Sequence, residues 1–467
     1  MRERVRVEPV GSALDTAAVA ELRSRFAGEL VLPEDRGYEE ARAVWNGVID
    51  TRPALIARVS EVGDVVEALA FARRNGLRVS VRGGGHNVAG TAVREGGLVI
   101  DLSRSKEIEV DADGRTVRAG AGCTLGELDA ATQTFGLATP LGVVSETGIA
   151  GLTLGGGIGW LRRKHGLSSD NLVSLELVTA AGEVVTASES ENPDLFWALR
   201  GGGGGFVVVT SFEYQLHAVG PEVMVCFVLY PAARAAEVLR FADEHLVASG
   251  DDLSPLGVLG HVPHVDDFPE EVHGLPYVAI LALHPGSVEK GAAALAPLRE
   301  LGDAIADLSG PMPYVEAQKL LDEDYPDGWR YYWKSTALDE LDAEAIESIS
   351  ASAASAPSHH STIDVWYHGG AIGRVGAAET AFGPRPKYLV GVEANWEAGN
   401  DDANIAWARD AVADLGRFSS GGSYLNFPGF FEEGVELLRS SHGERNYERL
   451  QEVRSRFDPD GVFARPE

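Results

Sequence analysis

Three glycine runs, Gly83–Gly85, Gly155–Gly159 (GGGIG) and Gly201–Gly205, fall in the first half of this chain. Glycine lacks a Cβ, so it adopts positive φ and lets a ligand come close to the main chain. Successive backbone N–H groups in such a run converge on an anion. One run alone reads as a tight turn. Three in one region point to a large, phosphate-bearing ligand. Two common ways of holding it are excluded. No GxxxxGK[ST] string is present, so there is no P-loop. The stretch after Val81 reads RGGGHNVAG with no helical period behind it, and Gly155–Gly159 has the wrong spacing for a dinucleotide fingerprint.

The 467 residues exceed what one hydrophobic core usually supports, so more than one domain is expected. Glycine runs stop near Gly220, and helical patterns mixed with strands follow. This places one glycine-rich domain over 1–220, a sheet-and-helix domain over 221–420 and a C-terminal segment over 421–467. A net charge of −30 argues against nucleic acid and anionic membranes as partners. No apolar run reaches the length of a membrane span. The opening MRERVRVEPVGSALD has no apolar core of signal-peptide length, so a cytoplasmic location is expected. Two cysteines, Cys123 and Cys226, rule out a disulfide scaffold.

Periodicity predicts strands at Pro53–Val59, Leu77–Val81, Leu98–Leu102 and Phe206–Tyr214. Ser60 is the expected cap of a helix ending at Asn75-Gly76. Asp113-Gly114 and Ala181-Gly182 turn two hairpins, Ile108–Ala119 and Leu172–Ala187. A helix over Thr124–Phe135 opens with a capping box, Thr124 and Glu127. Further helices are expected at Ala233–Ala248 and Val288–Leu301, and strands at Tyr277–Leu283 and Tyr388–Ala394. Ser348–Ser358 reads as a helix end or a loop, and the C-terminal tail as a helix followed by an Asp-Pro-Asp-Gly turn.

Two side chains stand out beside the glycines. His86 closes the first run; a lone histidine is either a loop residue or a functional imidazole. Cys123 immediately precedes the capping box, where a helix start favours a thiolate. It is either a nucleophile or a small packing residue. The residues alone therefore give an anion-binding domain with one candidate imidazole and one candidate thiolate.

Six strings then point together to one family. VRGGGHNVAG, AGAGCTLGELDAAT, TGIAGLTLGGGIGWLRRKHGLSSDNL, NPDLFWALRGGGGG, SYLNF and NYERLQEVRSRFDPDGVF span nearly the whole chain. In this order they resemble the berberine-bridge-enzyme-like FAD-linked oxidases of the vanillyl-alcohol-oxidase superfamily. The resemblance implies an α+β fold: a two-part PCMH-type FAD-binding domain, and a substrate domain whose antiparallel sheet is covered by helices. It implies FAD attached twice, through His86 to the 8α-methyl carbon and through Cys123 to C6. Arg82, Gly83, Gly84, Gly85 and Asn87 would wrap the pyrophosphate. Ser145, Thr147, Gly148, Gly151, Gly156 and Gly159 would line the adenosine and ring regions, with Val208 as a backbone contact. Many relatives read GGGGNFGVVT where this chain reads GGGGGFVVVT, so Gly205 and Val207 depart from the pattern.

Such an oxidase removes a proton as hydride leaves the substrate. Strand alternation in SYLNF would put Tyr424 and Asn426 on one face, which the resemblance turns toward the flavin. Tyr424 is the expected base. Tyr367 is its expected partner or a second base, and His368 and Asp364 are further candidates. Tyr332 or Lys334 of RYYWKS would add pocket contacts, and Ile149 would lie near the path of oxygen. The implied reaction oxidises an alcohol, amine or C–H group of a bulky sugar or aromatic natural product, with O2 as acceptor and H2O2 as product. A dehydrogenase with another acceptor and a non-catalytic nucleotide-binding protein are the alternatives. No metal site is expected; HVPHVDD, Glu270, Glu271 and His273 read as a surface loop, and His359-His360 likewise.

Overall fold

The computed structural model describes residues 14–265 and 268–463. The signal-peptide reading of the first residues, and Asp266 and Asp267 of HVPHVDD, lie outside the described residues.

Two sheets form the first half. A four-stranded sheet has the order Glu29–Val31, Leu55–Arg58, Leu98–Asp101, Val79–Arg82. Its last three strands are parallel, and two of them, Leu55–Arg58 and Leu98–Asp101, are rich in buried aliphatic residues, as strands covered on both faces require. The Val62–Asn75 helix packs on it. That helix starts later than Ser60 because Asp64 intervenes. The buried Asp64 carboxylate accepts N–H groups from Ser60 at 2.8 Å, Ala27 at 2.7 Å and Gly28 at 3.0 Å, so Ser60 does not cap it and Glu61 is the first flanking residue. A five-stranded antiparallel sheet follows, with both predicted hairpins at its edges. The capping box is in place: the Thr124 N–H reaches Glu127 Oε2 at 2.8 Å and the Leu125–Gln133 helix runs from it.

The second half is an eight-stranded antiparallel sheet. One side of it runs Leu256–His261, Thr362–Tyr367, Tyr388–Trp396 and, at the edge, Arg330–Leu338, paired in that order. The helices Ala235–Ser249, Val288–Arg299, Ala343–Ala354 and Asp401–Leu415 cover one face. The fold is therefore α+β, with helices on one side of an antiparallel sheet. Alternation along each strand sorts the side chains. Ile363, Val365 and Tyr367 enter the helix-side core, whereas Trp366 faces the first half of the molecule. The C-terminal segment packs on the first half: Val79 donates its N–H to Val462 O at 2.9 Å, and the Glu444–Phe457 helix ties Arg449 to Asp194 at 3.1 Å. No helix among the described residues is long and apolar enough to cross a membrane.

Candidate active site

A cavity of about 720 Å³ lies between the glycine-rich half and the uncovered face of the large sheet. Its floor is built by the first glycine run and its neighbours: Gly83, Gly84, Gly85, His86 and Asn87. Thr147, Gly148 and Gly151 form one wall, and Gly202–Gly205 another. Glycine is required where these loops cross. A Cβ at Gly84 would meet Gly148 N at 2.6 Å, and one at Gly148 would meet Gly84 N at 2.5 Å, so neither position tolerates a side chain. Gly151, by contrast, has nothing within 4 Å of where its Cβ would stand, leaving the cavity free there.

His86 is half-buried in this floor. Its ring stacks on Trp45, centroid to centroid 4.0 Å, and Trp45 stacks in turn on Tyr331 at 3.7 Å. Its Nε2 is buried with no hydrogen-bond partner. Burial pulls the imidazole down to about 4, so the ring is neutral and its free nitrogen is nucleophilic at neutral pH. An unpartnered nitrogen beside a glycine cradle fits attachment of a cofactor.

Tyr424 and Asn426 also line the cavity. They do not sit on the strand that SYLNF suggested. The segment is a turn, closed by the Phe427 N–H on Tyr424 O at 2.8 Å, and the following Pro428 makes only an isolated bridge. The turn still joins the two side chains: Asn426 Nδ2 donates to the Tyr424 phenolic oxygen at 2.8 Å and to Leu152 O at 3.2 Å. Gly155 makes room for this, since a Cβ there would stand 2.1 Å from Asn426 Oδ1. Burial raises the Tyr424 phenol to about 12, opposed by hydrogen bonds from Asn426 and the backbone of Ile158 and Gly157.

Two family models match. One is a FAD binding domain over residues 53–188, the other a "Berberine and berberine like" region over residues 423–467. The chain is 31% identical over 446 residues to (R)-6-hydroxynicotine oxidase of Paenarthrobacter nicotinovorans, covering 93% of this chain and 95% of that one. This chain belongs to the berberine-bridge-enzyme-like FAD-linked oxidoreductases. The crystal structure of 6-hydroxy-D-nicotine oxidase from Arthrobacter nicotinovorans superimposes with a TM-score of 0.83 at 31% identity, over 94% of this chain and 96% of that one. BBE-like 1 of Physcomitrella patens gives 0.85 at 22% identity, over 96% and 98%. The FAD binding domain match spans the first two glycine runs of the cavity's surroundings.

Several residues assigned by resemblance lie elsewhere in this berberine-bridge-enzyme-like chain. Cys123 does not line the cavity. It is fully buried, with Sγ 3.9 Å from the carbonyls of Ser105 and of Glu107. Burial and the nearby Glu127 carboxylate push its thiol up to about 11, which overrides the helix start expected to favour a thiolate. The C6 bond is therefore corrected: Cys123 is a packing residue. Arg82 turns away from the cradle and forms a buried ion pair with Asp101, donating also to Ala41 O at 2.6 Å. Replacing Arg82 with methionine leaves the buried Asp101 only the more distant Arg58, at 3.5 Å, as a cationic partner, and should cost about 3 kcal/mol in a urea titration at neutral pH. Ser145 hydroxyl and N–H both go to Asp322, at 2.5 and 2.7 Å. Gly156 packs on Phe382 and Gly159 on the Leu141 carbonyl. At the Val207–Gln215 strand, Val207 and Val209 line the cavity, and the Val208 side chain packs in the core, which leaves its expected backbone contact untouched. Ile149 is buried and does not reach the cavity.

Tyr367 is corrected as well. Its hydroxyl donates to Leu239 O at 2.8 Å under the helical layer, on the far face of the sheet. His368 is buried outside the cavity, its Nδ1 against Pro386 O at 3.2 Å. Tyr332 and Lys334 point to that same far face, where they meet Glu432 and Glu433. Trp333 between them faces the cavity, with Trp366, Tyr325, Asp364 and Glu393. Of these, the sequence singled out only Asp364. Among the described residues no group of three His, Cys, Asp or Glu side chains gathers as a metal site.

Proposed function

We propose that the protein is an FAD-dependent oxidase whose flavin is bonded once, through His86 to the 8α-methyl carbon, and whose general base is Tyr424. One observation carries this reading. The free Nε2 of His86 and the hydrogen-bonded oxygen of Tyr424 both belong to one cavity, floored by glycine backbone. Gly83–Asn87 and Thr147–Gly151 would hold the pyrophosphate through main-chain N–H groups. FAD held here supplies a two-electron acceptor for substrate hydride. Tyr424 takes the substrate's O–H or N–H proton at its phenolic oxygen. Asn426 donates to that oxygen, which stabilises negative charge there and fixes its direction. Burial of Tyr424, only 4% exposed, keeps bulk water from competing for the proton.

The aromatic walls of Trp333, Trp366 and Phe427 suit a substrate with an aromatic ring. A name that records oxidation of 6-hydroxynicotine in a 31%-identical relative supports the same class. O2 is the proposed acceptor. Oxygen uptake with peroxide formation, set against reduction of a redox dye, tests it; dye reduction without oxygen uptake makes the protein a dehydrogenase.

Attachment is tested by acid denaturation followed by intact mass. The wild type should keep one FAD on the polypeptide. Cys123→Ala should keep it in full, with stability changed by about 1 kcal/mol or less, because the residue is small and buried away from the cavity. Flavin that stays attached in His86→Ala as well as in Cys123→Ala restores the two-bond reading.

A further inference from the structure

We propose that Asp364 and Glu393 form a cation subsite that takes a protonated amine of the substrate; this rests on the reading of the cavity as the substrate site of a flavin oxidase. The two carboxylates come from adjacent antiparallel strands. Asp364 lies opposite Gly391, and Glu393 lies opposite Thr362. They are therefore diagonal neighbours on one face of the sheet, close enough to interact. That face is the one turned to the cavity, which both residues line.

Both are only 2% exposed. Glu393 Oε2 accepts the Tyr325 hydroxyl at 2.8 Å, whereas Asp364 Oδ1 has no hydrogen-bond partner. Buried carboxylates are normally paired with a cation. Here none is supplied. The charged groups acting on the pair are the two carboxyls themselves and Asp324, and no basic side chain of the described residues joins them. Tyr277 and Tyr325 are the phenols nearby. The cation closest along the sheet, Lys334, is turned to the far face by strand alternation and spent on Glu433. Burial, and repulsion from neighbouring carboxylates, raise both groups. The neighbouring carboxyls therefore disfavour one another's charge, and an ammonium with N–H donors relieves that repulsion.

The chain also leaves room in front of the pair. Residue 391, facing Asp364, is glycine; a Cβ there would stand 3.3 Å from Glu393 Oε1 and 3.4 Å from the Phe427 ring. Trp333 and Trp366 line the same cavity, and indole faces favour an alkylammonium over a neutral group. A sugar would satisfy Asp364 Oδ1 by a hydroxyl but would bring no compensating charge.

Anaerobic calorimetry on the holoenzyme tests this with matched probes. The amines are N-methylbenzylamine and 2-phenylpyrrolidine, the neutral isosteres benzyl methyl ether and 2-phenyltetrahydrofuran, and the sugar cellobiose. At least one amine should bind about tenfold or more tightly than its ether. Asp364→Asn, which keeps the shape and removes the charge, should bring that ratio close to one, and Glu393→Gln should reduce it. The proposal is overturned if neither amine outbinds its ether, if cellobiose outbinds both amines, or if both carboxamide variants keep the wild-type ratio. Visible flavin absorbance of the same samples reads the oxidase assignment separately: an amine preference can fail in a fully flavinylated protein.

Discussion

His86→Ala should yield a protein that still binds FAD but releases all of it on acid precipitation. In the wild type, the flavin should instead remain in the pellet and fluoresce with the polypeptide in a denaturing gel. The proposed bond needs a neutral imidazole held against the 8α-methyl carbon of the flavin. Burial keeps His86 neutral, with its imidazole lowered to about 4. Trp45 fixes the ring plane, at 17° to its own, and Tyr331 backs Trp45. Orientation of this kind is worth several orders of magnitude in the effective concentration of a nucleophile. The glycine loops do not depend on the imidazole, so non-covalent binding should survive the substitution. Covalent flavin in His86→Ala would overturn the assignment.

Tyr424→Phe should lower kcat by about 10²- to 10⁴-fold, the usual range for removing a general base, while FAD stays attached. The pH profile gives a sharper readout. Burial raises the phenol to about 12, so the phenolate is scarce at neutral pH. A base that must be deprotonated then makes kcat/KM climb with pH toward that value. The climbing limb should vanish in Tyr424→Phe. Asn426→Leu should lower the rate less, by about tenfold, because it removes one hydrogen bond to the phenolic oxygen and leaves the oxygen in place. A Tyr424→Phe enzyme with unchanged kcat would return the base to another cavity residue.

How much of this the chain announced in advance differs from residue to residue. The glycine runs, the His86 beside them, the Thr124 capping box and both hairpin turns are local features. Each is set by a few neighbouring residues, through φ freedom or a short-range hydrogen bond, and each stands in the structure where the string places it. Alternation reads Ser423–Phe427 as a strand; the segment is a turn, and Tyr424 and Asn426 still meet because Asn426 Nδ2 donates to the Tyr424 oxygen across it.

Direction and partnership were decided by tertiary structure. Tyr367 and Asp364 sit three residues apart on one strand, so alternation sends them to opposite faces. Which face meets the flavin-binding half is settled only when the four helices cover the other. The same parity turns Trp333 inward and Tyr332 and Lys334 outward. Arg82 was claimed by Asp101, Ser145 by Asp322 and the space around Cys123 by the loop carbonyls of Ser105 and Glu107, each through a partner at least 16 residues away. Glu393 carried no local mark at all. It became half of a carboxylate pair because its strand hydrogen-bonds to that of Asp364, a register fixed by burial of the whole sheet. The sequence by itself determined what kind of ligand the backbone can hold, since glycine's freedom is a property of the residue. The fold decided which charges face that ligand, since a side chain's direction and partners are properties of the packed whole.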